Sequence, residues 1–241
     1  FVHQLRAFER LTSRDGHPPA STLVTTGTGS GKTECFLYPL LDHCRRERLR
    51  GKAGIKAILI YPMNALATDQ AERFARELMR PELRGVTAGL YVGGPGQHGV
   101  ADAKHLVDQR DILRRSPPDL LLTNYRMLDL LLLRPEDRAL WADNEPETLR
   151  YLVLDELHTY DGAQGSDVAC LVRRLKDRLG TPPGHLCCVG TSATLGGGAG
   201  PTDPRAALLE FATRVFGEPL DAGAIVGEDR LSIREAFPSE P

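Results

Sequence analysis

The chain has 241 residues, a formal net charge of −2 and 41% hydrophobic content. That length suits one globular domain with a tail, able to bury roughly 70–75% of its unfolded surface without disulfides or metals. The near-neutral charge excludes a global field for nucleic acid, so any such contact must come from a local face.

Apolar and amphipathic runs alternate along the chain. They predict a helix over 2–11, a strand over 22–26, a helix over 32–50, a strand over 55–61 and a helix over 65–79. A strand over 86–92, a helix over 101–114, a strand over 120–123 and a helix over 125–133 follow. The series closes with a strand over 151–155, a helix over 165–179, a strand over 186–191 and a helix over 204–216. Such alternation implies an α/β fold with a mostly parallel sheet flanked by helices on both faces. In that architecture ligands sit beyond the carboxyl ends of the strands. Residues 1–200 form the expected domain and 201–241 an extension: the glycine cluster at 196–201 reads as a loop, and 218–241 is less regular.

The most informative stretch is Thr26-Gly27-Thr28-Gly29-Ser30-Gly31-Lys32-Thr33, between the first strand and the second helix. Glycines there let successive N–H groups point at phosphate oxygens, and the helix N-terminus adds a favourable dipole. Lys32 would reach the β/γ-phosphates and the Thr33 hydroxyl would ligate Mg²⁺. The strict pattern has Gly six residues before the lysine, where this chain has Thr26. The strand at 151–155 ends in Asp155-Glu156. Asp155 is placed to hold Mg²⁺ beside Thr33, and Glu156 to polarise the water that attacks the γ-phosphate. Alone, such a pair is more often two solvated acids at a strand end; the phosphate loop upstream favours the functional reading.

Further segments fall at strand ends. Asp155-Glu156-Leu157-His158 matches the D-E-x-H box of superfamily-two helicases, and Ser192-Ala193-Thr194 their Ser-Ala-Thr motif. The segment from Tyr61-Pro62-Met63-Asn64 to Leu66 resembles their motif Ia, Thr123-Asn124 their strand-contacting Thr-Asn segment, and His3-Gln4 their adenine-reading glutamine motif. Asp-Glu-Leu-His-Thr-Tyr-Asp-Gly, with Gln164-Gly165-Ser166-Asp167 and Arg173-Arg174-Leu175 following, resembles the large bacterial helicases of the Lhr and MrfA kind, some relatives of which sit in phage-defence systems.

The resemblance implies a RecA-like P-loop NTPase domain, the first of two that share one ATP. It implies that the partner domain, carrying the arginine finger, lies elsewhere in a longer parent chain. It also implies the ligands ATP and Mg²⁺, and nucleic acid as partner, DNA before RNA. Site roles follow. Gln4 and residues 27–33 would bind nucleotide, while Lys32, Asp155 and Glu156 carry the chemistry. His158, Ser192, Ala193 and Thr194 would couple the two sites. Pro62, Met63, Asn64, Gly93, Gly94, Thr123 and Asn124 would form a neutral track for the strand backbone. His158 could equally be a satisfied histidine in a turn; Ser192 and Thr194 could be strand-end hydroxyls capping a turn, but their place in Ser-Ala-Thr favours the functional reading. A P-loop ATPase acting on protein, or a nucleotide-gated scaffold, is the competing reading. The basic runs Arg45-Arg46-Glu47-Arg48 and Arg173-Arg174-Leu175-Lys176 read as solvated helix faces, since acids interleave.

Cys35, Cys44, Cys170, Cys187 and Cys188 form no C-x-x-C pair. They read as reduced, mostly buried thiols of a cytoplasmic protein. No signal peptide or membrane span is visible: the leucine run at 128–133 is short and carries Asp129. The chain opens on Phe1 rather than Met and is read as a piece of something longer.

Overall fold

Segments such as Ala57–Tyr61 and Tyr151–Leu154 are apolar along their whole length, which demands cover on both faces. The computed structural model, which describes residues 1–27, 29–193 and 203–228, supplies that cover. Seven strands lie in one sheet among the described residues: β1 (Thr22–Thr25), β2 (Ala57–Tyr61), β3 (Ala88–Tyr91), β4 (Leu120–Asn124), β5 (Tyr151–Leu154), β6 (Cys187–Ser192) and β7 (Ile225–Gly227). Their order is β3-β4-β2-β5-β6-β1-β7, and every neighbouring pair is parallel. The helices are α1 (Val2–Leu11), α2 (Lys32–Leu49), α3 (Asn64–Leu78), α4 (Arg110–Arg115), α5 (Tyr125–Leu133), α6 (Gly162–Leu179) and α7 (Pro204–Phe216).

Period-two alternation divides the strand side chains between two cores. Ile58, Ile60, Leu121, Leu152 and Leu154 face a cluster that includes Leu128 and Leu131 of α5, Val168 and Leu175 of α6, and Phe216 of α7. Leu59, Tyr61, Leu122, Tyr151 and Val153 face Phe36 and Leu40 of α2 and Phe74 of α3. Each such large side chain contributes about 1.5–3 kcal/mol on burial. The leucine run of α5 thus lies along the sheet, and no helix among the described residues is long and apolar enough to cross a membrane.

Two expectations need correction. The helix expected over 101–114 is helical only from Arg110 to Arg115. Upstream, Asp102 accepts hydrogen bonds from the backbone N–H groups of Lys104 and His105, and Asp108 from those of Gln97 and His98. The Asp102 loop competes with helix for donors inside the expected span, while Asp108 ties the chain back to residues 97 and 98. The second correction is β7, a three-residue strand within the expected extension that pairs with β1 through Leu23↔Ile225 and Val24↔Val226. With α7 packed on α6, residues 203–228 take part in the same sheet-and-helix body. The glycine cluster at 196–201 lies outside the described residues.

An ion pair absent from any sequence pattern clamps the amino ends of the sheet. Lys56, just before β2, places Nζ 2.8 Å from Asp119 Oδ1, just before β4, and both side chains are almost fully buried. Lys56 Nζ also donates to Gly54 O at 2.8 Å. Asp119 Oδ2 accepts from Thr87 N at 2.8 Å, just before β3, and lies 3.2 Å from Arg48 of α2. Cysteine burial follows the expectation except at one position: Cys35, Cys44, Cys187 and Cys188 are buried, Cys170 is exposed, and all five are free. Burial pushes the Cys35 thiol up to about 11 and Cys187 to about 12.

Truncating Asp119 to Ala leaves the Lys56 charge buried without its partner, an expected loss of about 3–5 kcal/mol. The measurement is the urea midpoint, and the paired change Lys56→Met with Asp119→Leu is expected to lose much less than Asp119→Ala alone.

His43 gives a pH signature. Its Nδ1 lies 2.8 Å from Ser13 Oγ and its ring meets Tyr151 edge-on at 5.2 Å. Burial lowers its pKa from 6.5 to about 4, partly offset by Glu47. Between those values the unfolded chain binds a proton that the folded chain refuses, so stability falls as pH falls through this window. The expected component is on the order of 2–3 kcal/mol, present above the unfolded pKa and lost toward the folded one. Replacing His43 with Gln is expected to flatten the stability–pH curve between pH 7 and 4, read from denaturant midpoints.

Candidate functional site

Parallel pairing sends every strand's carboxyl end to one edge of the sheet, and the motif residues gather there. After β1 the described residues Thr26, Gly27 and Gly29 to Gly31 lead into α2. Gly29 and Gly31 have φ of 78° and 85°, a region open to glycine without penalty. Gly31 is also the N-cap of α2, and a Cβ there would lie 2.4 Å from Gln4 Nε2. Thr28 lies outside the described residues.

Within the loop, Ser30 Oγ hydrogen-bonds with Thr26 Oγ1 at 2.6 Å and donates to Gly27 O at 2.7 Å. Lys32 Nζ donates to Thr26 O at 3.2 Å, so the lysine bends back over its own loop. The amide of Gly27 donates to Glu228 Oε1 at 2.8 Å, a contact from the end of β7. The first turn of α1 closes the other side. Gln4 Nε2 donates to Gly31 O at 3.3 Å, and His3 Nε2 donates to Ser30 O at 3.1 Å. His3 was not among the expected site residues; its position beside Gln4 in the first turn is the signal that pointed to it.

At the end of β5, Asp155 is buried and Glu156 turns into a left-handed backbone with φ 50° and ψ 53°. For a non-glycine residue that conformation costs roughly 1–2 kcal/mol. Thr191 of β6 holds the turn from both sides: its hydroxyl donates to Asp155 Oδ1, and its oxygen accepts from Glu156 N at 3.0 Å. Burial raises the Asp155 pKa from its ordinary value; the Thr191 bond opposes that, the Glu156 charge adds to it, and Lys32 draws it back. Glu156 Oε2 is buried without a hydrogen-bond partner and lies 3.4 Å from His158 Nδ1. His158 Nδ1 lies 3.2 Å from Ser192 Oγ. Ala193 follows Ser192 at the strand end, and Thr194 lies outside the described residues.

These donors suit a magnesium nucleotide. Thr33 and Asp155 offer hard oxygen ligands, the buried Asp155 charge calls for a cation, and the glycine turn leaves room that a Cβ would fill.

A second cleft opens further along the same edge. It is lined by Pro62, Asn64, Gly93, Asn124, Tyr125, Arg126 and Gln164, among others. Asn124 caps α5 by accepting from Met127 N at 2.8 Å, and its Nδ2 donates to Asn64 Oδ1 at 2.5 Å. Met63 is 63% exposed, and Gly94 has φ 101° with nothing near a Cβ position. Thr123 corrects an expectation: it is fully buried, and its hydroxyl donates to Tyr91 O at 2.6 Å, so it presents no side chain to the cleft. Arg126, whose Nε donates to Tyr125 OH at 2.9 Å, and Gln164 of α6 were missed. Arg126 adjoins the Thr-Asn segment; Gln164 is brought in only by the fold. The basic runs are spent internally: Arg46 pairs with Asp42 at 3.0 Å, Arg174 with Asp129, and Lys176 with Glu218 at 2.7 Å.

Replacing Thr191 by the isosteric Val removes a donor to a buried carboxylate and an acceptor for a strained turn. The expected loss is about 1–3 kcal/mol in a urea titration, with Thr191→Ser close to wild type.

Comparison with known proteins gives a consistent set. Residues 2–199 match the sequence model of the family described as DEAD/DEAH box helicase. The Druantia protein DruE of Escherichia coli is 29% identical over 81% of this chain, which spans 16% of that protein. The uncharacterized ATP-dependent helicase YprA of Bacillus subtilis is 30% identical over 81% of this chain and 23% of its own length. A crystal structure of the DUF1998 helicase MrfA bound to DNA and AMPPNP superposes with a TM-score of 0.68 at 26% identity, covering 95% of this chain and 27% of that one. The chain therefore spans about a quarter or less of each of these three proteins.

Proposed function

The chain belongs to the DEAD/DEAH box helicase family, and from that premise we propose that it is the first of two RecA-like motor halves, coupling ATP hydrolysis to movement along DNA. The family is ATP-dependent and nucleic-acid-directed; the preference for DNA over RNA rests on the DNA carried by the MrfA neighbour. A cytoplasmic setting belongs to the same proposal, since all five cysteines are free thiols. The observation that carries it is the convergence of the glycine turn, the buried Asp155 and the Asn64–Asn124 cleft on one edge of one sheet. A P-loop ATPase acting on protein has no need of that cleft or of the Ser192–His158 contact.

In this reading the amides at 29–33 and Lys32 hold the β/γ-phosphates. Lys32 leaves Thr26 O to reach them. Thr33 and Asp155 hold Mg²⁺, which supplies neutralisation of phosphate charge when bound. Glu156, set aside by its left-handed turn, accepts a proton from the attacking water. His158 and Ser192 carry the state of that turn to the end of β6. Pro62, Met63, Asn64, Gly93, Gly94 and Asn124 meet the strand backbone without reading bases. No residue is assigned as an arginine finger, a group worth about 10³–10⁵ in rate. Full turnover is therefore proposed to need the second RecA-like domain of the parent chain.

The test is steady-state ATP hydrolysis by the full parent protein with single-stranded DNA, single-stranded RNA or neither. DNA is expected to stimulate most. The Glu156→Gln variant is expected to bind nucleotide normally and to lose on the order of 10²–10⁴ in turnover. Turnover of that variant within about threefold of wild type would remove Glu156 from its role, and equal rates with and without nucleic acid would overturn the motor reading.

A further inference from the structure

Helix α3 touches both ends of the candidate site. It begins at Asn64, which accepts a hydrogen bond from Asn124 in the second cleft. Its inner face, Ala67, Ala71 and Phe74, is buried against the sheet. Two turns further on, a different face meets the first turn of α2. Gln70 Oε1 lies 3.4 Å from Thr33 Oγ1 and accepts its hydrogen bond. Three residues along, Arg73 pairs with Glu34. Residues 70 and 73 share one face of a helix, so these contacts act as a single clasp on consecutive residues of α2.

The chemistry of the hydroxyl gives the clasp a purpose. A threonine oxygen that ligates a hard cation uses a lone pair and keeps its proton. A rotor free to turn points that lone pair at the cation only part of the time. An acceptor on the far side fixes the rotor, and cation binding strengthens the donor in return. Gln70 Oε1 is the acceptor given to Thr33 Oγ1. At 3.4 Å the bond is longer than a tight O–H···O contact, and it has room to shorten.

We infer that Gln70 is a positioning residue for the metal-binding hydroxyl of Thr33, and that α3 links Mg²⁺·nucleotide binding to strand binding at Asn64. This rests on the proposed nucleotide role of Thr33. By linkage, a strand that favours one arrangement of α3 raises the affinity for Mg²⁺·nucleotide by the factor with which the nucleotide raises the affinity for the strand.

The experiment measures affinity of a fluorescent ADP for the full parent protein, with Mg²⁺ and with EDTA, each with and without oligo-dT. Gln70→Leu keeps size and helix propensity and deletes the acceptor; Gln70→Glu restores one. For Gln70→Leu the expected result is unchanged affinity in EDTA, a Mg²⁺-dependent gain reduced roughly tenfold, and loss of the oligo-dT effect. Gln70→Glu is expected to recover the Mg²⁺-dependent gain. Thr33→Ala is the control on the underlying role and is expected to abolish the Mg²⁺-dependent gain. If Thr33→Ala abolishes it while Gln70→Leu matches wild type, the inference about Gln70 is overturned and the role of Thr33 stands. If Thr33→Ala leaves the gain intact, the metal-site reading itself fails. A fall in EDTA affinity equal to the fall in Mg²⁺ would make Gln70 merely structural and overturn the inference as well.

Discussion

The register of β5 between β2 and β6 is the constraint on which the site depends. Leu154 pairs with Gly190, so the next residues, Asp155 and Thr191, meet across the strand ends, while Asp155 N still donates to Ile60 O at 3.0 Å. A slip of one residue would carry the carboxylate to the opposite face and put leucine in its place. Gly190 belongs to the same constraint. A Cβ there would approach Leu157 Cδ2 to 2.9 Å and Leu23 Cδ2 to 2.8 Å, so glycine lets both leucines close over β6 and a larger residue would make them shift. Site chemistry thus rests on a backbone ladder, with each polar group fixed by the strand beside it.

Charge is distributed in keeping with that dependence. The chain carries 30 basic residues against 32 acidic ones, and its densest basic runs lie on α2 and α6. Those arginines and lysines tie helices to neighbouring turns and helices rather than forming a field: Arg45 to Glu82 O, Arg48 to Gly85 O, Lys176 to Phe216 O. Among the described residues lining the cleft at Asn64 and Asn124, Arg126 is the one cation. Binding there would depend on shape and directed donors more than on counterion release, and would be less salt-sensitive than a basic groove of equal size.

Much of this was legible in the sequence because the informative signals were local. Full-length apolar strands, glycine spacing and adjacent acids each declare themselves within eight residues, and helices α1, α5 and α7 begin and end where their periodicity says. What escaped was non-local or too short. Lys56 and Asp119 read as ordinary charges flanking strands, and only the sheet order brings them together in the interior. Gln70 is an unremarkable polar residue until α3 lies against α2. Thr191 stood beside the motif that was noticed, yet its two bonds exist only because β6 adjoins β5. The helix expected over 101–114 failed for the opposite reason: local periodicity was present, and Asp102 took the amides of Lys104 and His105.

The last strand has a consequence for how this domain can be handled. Motifs end near residue 194, and a cut there would seem harmless. It would remove β7 and leave β1, apolar and buried at Leu23 and Val24, as an unprotected edge. An apolar edge with a free row of backbone donors and acceptors is a template for intermolecular pairing. The same cut would take Glu228 from the Gly27 amide. Trimmed to its recognisable motifs, the protein would be prone to self-association at the very strand that carries its phosphate loop, so insolubility of a short version would report a missing hem of the sheet rather than a misread domain.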